Sequence, residues 1–177
     1  MRRNLTILAI LLVALIGGLG FWGAVLPREH HTTSRATIAA PPESVYAVIR
    51  DIGRLPAWWK DAQSVISVPG TDGWERWQED INGFVLTLIV SEEEPGVRLV
   101  TTIDTTGNDG FGGTWRYETT IAQGGATTVT ITEAGWVKNP FFRVMMKLGG
   151  THTTLDSYLT ALGAKFGKTV TPTHVVP

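Results

Sequence analysis

The fold is decided by residues 36–51, which read ATIAAPPESVYAVIRD, and by residues 55–58, which read LPAW. Apolar and polar residues alternate up to Ala40, a pattern that predicts a strand with one buried face. Pro41 ends this strand, and Pro42 suits the first position of a helix, where its missing N–H costs nothing. A strand followed by short helices is therefore the first unit of the predicted domain.

A long region with a period of two follows this unit. Over residues 62–137 apolar side chains alternate along six segments, which predicts an antiparallel sheet with one buried face. Asn82-Gly83 is typical of a tight hairpin turn between two of its strands. From Phe141 to Phe166 the apolar spacing changes to three and four, which predicts one long helix capped by Asn139.

The opening stretch resembles the polyketide cyclase/dehydrase and lipid-transport family, part of the START-like or SRPBCC superfamily. The shared pattern is a strand, Ala-Pro, a helix with an aromatic residue, an aspartate and then Pro-x-Trp, which residues 36–58 match. The resemblance covers residues 34–167. It implies an α+β helix-grip fold, in which a curved antiparallel sheet wraps around the C-terminal helix. The superfamily includes lipid carriers, hormone receptors and aromatic cyclases, so the fold alone does not determine the function.

An apolar segment precedes this domain. No charged residue lies between Asn4 and Pro27, and a helix over residues 5–26 could cross a bilayer core of about 30 Å. Arg2 and Arg3 precede it, so the positive-inside rule predicts a cytoplasmic N-terminus and an extracytoplasmic domain. We therefore expect a single-pass membrane protein. A cleaved secretory signal is the alternative interpretation of the same segment.

These patterns divide the chain into three segments. Residues 1–33 are the predicted membrane anchor and linker, residues 34–168 the folded domain, and residues 169–177 a flexible tail. The linker contains His30 and His31, but no third ligand lies nearby. A solvated tether is therefore favoured there over a metal site.

The composition excludes several classes of function. The chain of 177 residues contains no cysteine, which excludes disulfides, iron–sulfur clusters, thiolate zinc sites and a cysteine nucleophile. From residue 35 onward there are 12 basic and 15 acidic residues, and the resulting net charge of −3 repels phosphate backbones. We therefore expect no nucleic-acid partner, no metal and no cofactor.

A sheet curled around a helix encloses space that an apolar ligand can fill. Seven tryptophans are more than a packed core of this size requires, although Trp22 belongs to the apolar N-terminal segment. The sequence thus predicts a pocket, with plain core packing as the alternative for each single residue. The predicted lining residues are Trp58, Trp77, Phe84, Leu86, Leu88, Trp115, Tyr117, Leu148 and His152.

Two side chains are candidates for acid–base chemistry. His152 lies on the apolar stripe of the predicted long helix, and Glu133 lies on the inward face of the last predicted strand. The structural alternatives are a core histidine bound to a strand group and a buried carboxylate paired with Arg116, Arg98 or His152. Asp156 could orient His152, but no serine stands in a nucleophile elbow beside them.

Two glycine-rich stretches are also informative. Residues 107–113 are either a gate at the pocket mouth or a plain hairpin loop. Gly149-Gly150 falls inside the predicted long helix and indicates a bend or a close approach by the sheet.

The sequence supports two main functions. The first is a membrane-anchored domain that binds a hydrophobic small molecule or lipid in an internal cavity, a binding or transport role. The second is an enzyme that resembles the family's aromatic polyketide cyclases and dehydratases, with His152 and Glu133 as acid and base. A third, an interaction module near the membrane, predicts an exposed apolar patch and no open cavity.

Overall fold

The structure, a computed structural model, describes residues 2–70, 72–107 and 110–175. The strands are β1 (Glu29–Ile38), β2 (Ala62–Val68), β3 (Arg76–Ile81), β4 (Phe84–Glu94), β5 (Arg98–Ile103), β6 (Phe111–Ile121), β7 (Thr127–Val137) and β8 (Thr173–Val175). The helices are α1 (Arg2–Val25), α2 (Pro42–Arg50), α3 (Pro140–Gly149) and α4 (Thr153–Lys165), with short 3-10 helices at Ile52–Ala57 and Gln123–Gly125.

The strands form one antiparallel sheet in the order β2-β3-β4-β5-β6-β7-β1-β8. Its curved inner face packs on α4, whose Leu159 and Leu162 are fully buried against strand residues such as Ile38 and Ile131. Burial of apolar area between these two layers stabilises the domain. The predicted α+β helix-grip fold is confirmed.

Local signals in the sequence explain several boundaries. Pro42 is the first residue of α2, and Val45, Tyr46 and Ile49 form its buried face. The β3–β4 turn places Asn82 at φ 53° and Gly83 at φ 83°, conformations that asparagine and glycine tolerate best. The hairpin predicted at this pair is confirmed.

The prediction of one long C-terminal helix is wrong. α3 ends at Gly149 and α4 begins at Thr153, because Gly150 adopts φ 85°, which interrupts the helical hydrogen bonds. Thr153 Oγ1 donates to the carbonyl oxygens of Gly149 and Gly150 at 3.0 and 3.2 Å. The bend predicted at Gly149-Gly150 is thus a complete break between two helices.

Two segments predicted to be irregular belong to the sheet. β1 starts at Glu29, which pairs with Trp136, so residues 29–33 are strand and not a free linker. β8 pairs with β1 through Thr33 and Val175, and it covers an edge of β1 that would otherwise be open. The tail prediction is therefore wrong for β8, whereas residues 176–177 lie outside the described residues.

α1 packs against the domain only near its C-terminal end. Residues Asn4–Val25 are long and apolar enough to cross a membrane, and nearly all of their side chains are exposed. In the part of the chain that the structure describes, this is the one such helix, and a signal sequence has the same properties. Only residues 26–28 separate α1 from β1.

Candidate functional site

A cavity of about 680 Å³ lies between the inner face of the sheet and the two C-terminal helices. The strands contribute mostly aliphatic and aromatic side chains to its wall, and α4 contributes Leu155 and Tyr158 from the buried core. Phe84, Phe142 and Met145 also line it but are exposed, so they mark its opening. The cavity therefore runs from an apolar mouth beside α3 to the core beneath α4.

The structure places five of the nine predicted lining residues in the cavity wall. They occupy alternate positions on two strands, because side chains separated by two residues share one face of a sheet. These five are Phe84, Leu86, Leu88, Trp115 and Tyr117. Their role in holding a ligand stays a prediction.

The other predicted lining residues lie elsewhere, contrary to the prediction. Trp58 contacts the ring of Tyr158 edge to face, with centroids 5.1 Å apart, and packs against the core. Trp77 also packs on the core and donates its indole N–H to Glu75 at 2.7 Å. Leu148 is 71% exposed, because the helix break turns α3 away from the sheet.

His152 is also outside the cavity wall. It precedes α4, and its Nδ1 lies 3.0 Å from the hydroxyl of Ser34 on β1. Ser34 Oγ donates to Asp156 Oδ1 at 2.7 Å, so His152 is the donor in its own contact with Ser34. The face of α4 that carries Leu155 and Tyr158 lines the cavity instead. The interpretation of His152 as a histidine bound to a strand group fits this geometry.

His174 of β8 completes a four-residue cluster with Ser34, His152 and Asp156, which we call the C-terminal clasp. Its Nε2 lies 2.8 Å from Asp156 Oδ2, and its ring stacks on that of His152 with centroids 3.7 Å apart. The clasp ties β8 and β1 to the start of α4. Ser34 is fully buried and contacts both partners itself, so no substrate could reach it as a nucleophile.

The clasp also brings together the atoms of a candidate metal site. His152, Asp156 and His174 each offer one ligand atom, all within 4.8 Å of one another. The two imidazole planes are nearly parallel, at 12°, so their in-plane lone pairs do not converge on one ion. Hydrogen bonding within the clasp accounts for this arrangement better than metal coordination.

Glu133 lines the cavity but is paired differently from the prediction. Its Oε1 lies 3.0 Å from Nε2 of His30, and both side chains are largely buried. His30, predicted to be part of a solvated tether, enters the cavity wall because β1 begins one residue before it. Its ring passes directly over Gly135, where a Cβ would come within 2.6 Å of the imidazole. Glycine at this position therefore makes room for the histidine.

Glu79 is a functional candidate that sequence reasoning missed. It is 9% exposed, lies in the cavity wall, and burial raises its pKa to about 7. Within the described residues no hydrogen bond or ion pair reaches its carboxyl group. The period of two in β3 places Glu79 on the same face as Ile81, so the signal was present in the sequence.

Glu79 therefore gives the cavity a group that can donate or accept a proton near neutral pH. Burial raises the pKa of the Tyr117 and Tyr158 phenols, and the nearby Glu79 charge adds to this. Both phenols thus remain neutral hydrogen-bonding groups. Glu79 is the group whose charge changes in the physiological range, and it can act as donor or acceptor toward a bound polar group.

The predicted glycine-rich gate is partly outside the described residues, because Asn108 and Asp109 are not among them. Its last two residues, Gly112 and Gly113, belong to β6. A Cβ at Gly112 would come within 2.9 Å of the indole of Trp136, so this glycine gives the tryptophan room in the cavity wall.

Known proteins support the fold described above. A START superfamily protein from Mycobacterium smegmatis is 20% identical, with a TM-score of 0.62 over 78% of this chain and 97% of that chain. The Zhui aromatase/cyclase from Streptomyces sp. R1128 is 14% identical, with a TM-score of 0.62 over 78% of this chain and 94% of that chain. At these identities the likeness shows a shared fold.

The sequence also carries a family signature. No curated protein matches this chain. Residues 29–164, however, match the model of the family described as polyketide cyclase / dehydrase and lipid transport. This range begins with β1 and ends within α4, so it includes the sheet and the helix that it grips, apart from β8. The chain therefore belongs to the polyketide cyclase/dehydrase and lipid-transport family.

Proposed function

We propose that this protein binds a hydrophobic small molecule or a lipid in its cavity while α1 anchors it to a membrane. The observation that carries the proposal is the cavity itself, about 680 Å³ in volume and open at one end. Ligand sites of about 300–1,000 Å³ with apolar walls and few polar groups are typical of small-molecule binding. An open cavity also argues against the interaction-module alternative, which predicted none.

The polar groups of the wall suggest what kind of ligand fits. Glu79 is a buried carboxyl group in a mostly apolar wall, and the His30–Glu133 pair is a second polar point. A protonated Glu79 would donate a hydrogen bond to a carbonyl or hydroxyl oxygen, and an ionised one would accept from a hydroxyl. We therefore propose that the ligand is an apolar molecule with one carbonyl or hydroxyl oxygen at the end that reaches Glu79.

Anchoring through residues 5–26 rests on the exposed apolar surface of α1. The positive-inside rule places the domain on the extracytoplasmic side, although the side chains of Arg2 and Arg3 lie outside the described part of the structure. Protease added to intact cells should digest the domain. Protection until lysis would reverse the orientation, and a soluble mature form that starts near Phe21 would identify a cleaved signal.

A cavity-filling variant tests ligand binding. Leu86→Trp enlarges a side chain in the cavity wall, whereas Val85→Trp adds the same ring on the opposite, exposed face of β4. Full-length protein in detergent should release an apolar compound on organic extraction, identified by mass spectrometry, and should bind a pyrene-labelled fatty acid. We expect Leu86→Trp to lose both properties and Val85→Trp to keep them. Binding that is equal in the two variants would refute the cavity as the site.

Glu79 supports a second function, catalysis by a cyclase or dehydratase. The predicted acid–base pair, His152 and Glu133, is separated, since Glu133 lines the cavity and His152 belongs to the clasp. A buried carboxyl with a pKa of about 7 is instead suited to acid–base catalysis at neutral pH. If the unmodified protein converts the extracted compound, and Glu79→Gln still binds the compound but no longer converts it, this role is established. Unchanged recovery of the compound after incubation would leave binding as the function.

A further inference from the structure

The α3 helix presents an apolar face that the domain does not cover. Four of its apolar side chains, two of them consecutive and the others within seven residues of them, lie on one side of the helix and are between 43% and 71% exposed. They are Phe141, Phe142, Met145 and Leu148. Together they form a surface that we call the α3 apolar face. A contiguous exposed patch of this kind marks a surface that meets another apolar phase.

The α3 helix is held directly against the end of α1. The backbone of Gly23 packs on the carbonyl of Pro140, with no room for a side chain between them. A Cβ at Gly20 would lie 3.4 Å from the ring of Phe141. The two helices are therefore in contact through their backbones, which fixes the level of α3 along α1.

Arg143 stabilises this contact with two hydrogen bonds. It is buried, and its Nη1 donates to the carbonyl of Leu26 at 2.7 Å, just beyond the end of α1. Its Nη2 donates to the carbonyl of Lys138 at 3.1 Å. A cation at the last carbonyls of a helix is favourable because those groups lack helical donors. α1 and α3 thus form one unit.

The position of α3 matches the depth of an interfacial helix. Gly20 lies five residues before Val25, the end of the apolar span, which corresponds to about 7.5 Å along the axis of α1. Amphipathic helices at a bilayer surface are buried to about 5–10 Å. Phe21 and Trp22 are exposed at the same level of α1, where aromatic residues favour the interface. Residues 138–149 contain two exposed lysines, Lys138 and Lys147, and no acidic residue, which suits anionic headgroups.

We propose that α3 lies in the membrane interface with its apolar face in the lipid, and that the mouth of the cavity opens toward the bilayer. This inference rests on the proposed function, because it takes α1 as the anchor and the cavity as the ligand site. Phe142 and Met145 belong both to the α3 apolar face and to the cavity lining. Across the mouth, Phe84 and Phe111 contact each other, with ring centroids 5.6 Å apart. An apolar ligand could therefore pass from lipid into the cavity without crossing water.

The absence of cysteine from the chain permits a direct test of depth. Leu148→Cys and Ile121→Cys each introduce one labelling site at an exposed apolar position, 71% and 80% exposed respectively. Ile121 lies at the opposite end of β6 from Phe111, about 33 Å away at 3.3 Å per residue. The full-length protein, labelled with a nitrobenzoxadiazole fluorophore, is reconstituted into phosphatidylcholine–phosphatidylglycerol vesicles that contain nitroxide-labelled lipid.

We expect the nitroxide lipid to quench the fluorophore at position 148 strongly and the one at position 121 hardly at all. Equal, weak quenching at both positions would overturn the placement of α3 in the membrane. This measurement needs no ligand, so it tests α3 even if the cavity binds nothing.

Ligand entry is tested with charged variants at the same two positions. Leu148→Glu should slow transfer of a pyrene-labelled fatty acid from vesicles to the protein about tenfold, because a charge disfavours apolar contact with lipid. Ile121→Glu should leave the rate unchanged, and both variants should bind the probe normally in detergent, since neither residue lines the cavity. Equal transfer rates with normal binding would overturn entry from the bilayer. If the unmodified protein does not bind the probe in detergent, the proposed function itself is refuted.

Discussion

The α3 and α4 helices follow one another in the chain and continue the same apolar spacing, yet their surroundings are opposite. Leu159 and Leu162 of α4 are fully buried beneath the sheet, whereas Met145 and Leu148 of α3 are 64% and 71% exposed. The break at Gly150 allows the two helices to take different directions. The same apolar spacing therefore does not reveal whether the folded domain covers a helical face, and only the three-dimensional structure shows that it covers α4 and leaves α3 exposed.

The largest expected effect is the loss of a core side chain from α4. Leu159→Ala should lower the free energy of unfolding by about 2–5 kcal/mol, because it leaves a cavity in a fully buried site. Leu148→Ala is the matched control on α3 and should change the free energy of unfolding by less than about 0.5 kcal/mol in detergent. Urea unfolding in detergent micelles, followed by circular dichroism, measures both. Similar losses in the two variants would mean that the helices are not packed differently.

The cavity between the sheet and the two helices should make the stability depend on pH, because Glu79 lies in its wall. Burial raises its pKa from 4.5 to about 7, so the folded state holds a proton that the unfolded state has lost between these values. Stability should therefore fall as pH rises from about 4.5 to 7 and then level off, about 3 kcal/mol lower. Glu79→Gln should recover that loss above pH 7 and change little below pH 4.5.

Thermal unfolding of this variant across pH 4–8 measures the effect, with Glu94→Gln as a control that removes an exposed carboxylate. A Glu79→Gln variant whose gain in stability is the same at pH 4 and pH 8 would contradict a raised pKa at this site.

The break between the two helices should depend on one backbone conformation. Gly150→Ala places a Cβ at φ 85° and should destabilise the protein by about 1–2 kcal/mol. Gly149→Ala is its neighbour, has open space for a Cβ, and should stabilise the end of α3 by up to about 1 kcal/mol. Opposite signs in the two melting curves are the expected result. A neutral Gly150→Ala would show that the conformation of residue 150 does not set the break.

The smallest expected effect is on β8. His174→Ala removes the contacts of a half-exposed side chain with Asp156 and His152, so the loss of stability should stay below about 1 kcal/mol. Hydrogen exchange should nevertheless become faster at residues 173–175 while α4 keeps its protection. Unchanged exchange in β8 would show that strand pairing alone, without the clasp, holds it to β1.

Local chemistry made much of this fold predictable from the sequence. Alternation over residues 62–137 fixes which side chains face the same way, so five residues of the cavity wall could be named in advance. Pro42 and Asn82-Gly83 act through backbone dihedral angles, which need no distant partner. The family resemblance of residues 36–58 supplied the overall arrangement of sheet and helix.

Distant contacts decided the rest. His30 enters the cavity wall because β7 pairs with β1 from Glu29 onward, more than one hundred residues away in the chain. The carboxyl of Glu79 has a raised pKa because the fold buries it, and His152 faces the clasp because α4 begins anew after Gly150. Pairing energies and desolvation depend on groups brought together only by folding, so a pattern along the chain carries no record of them.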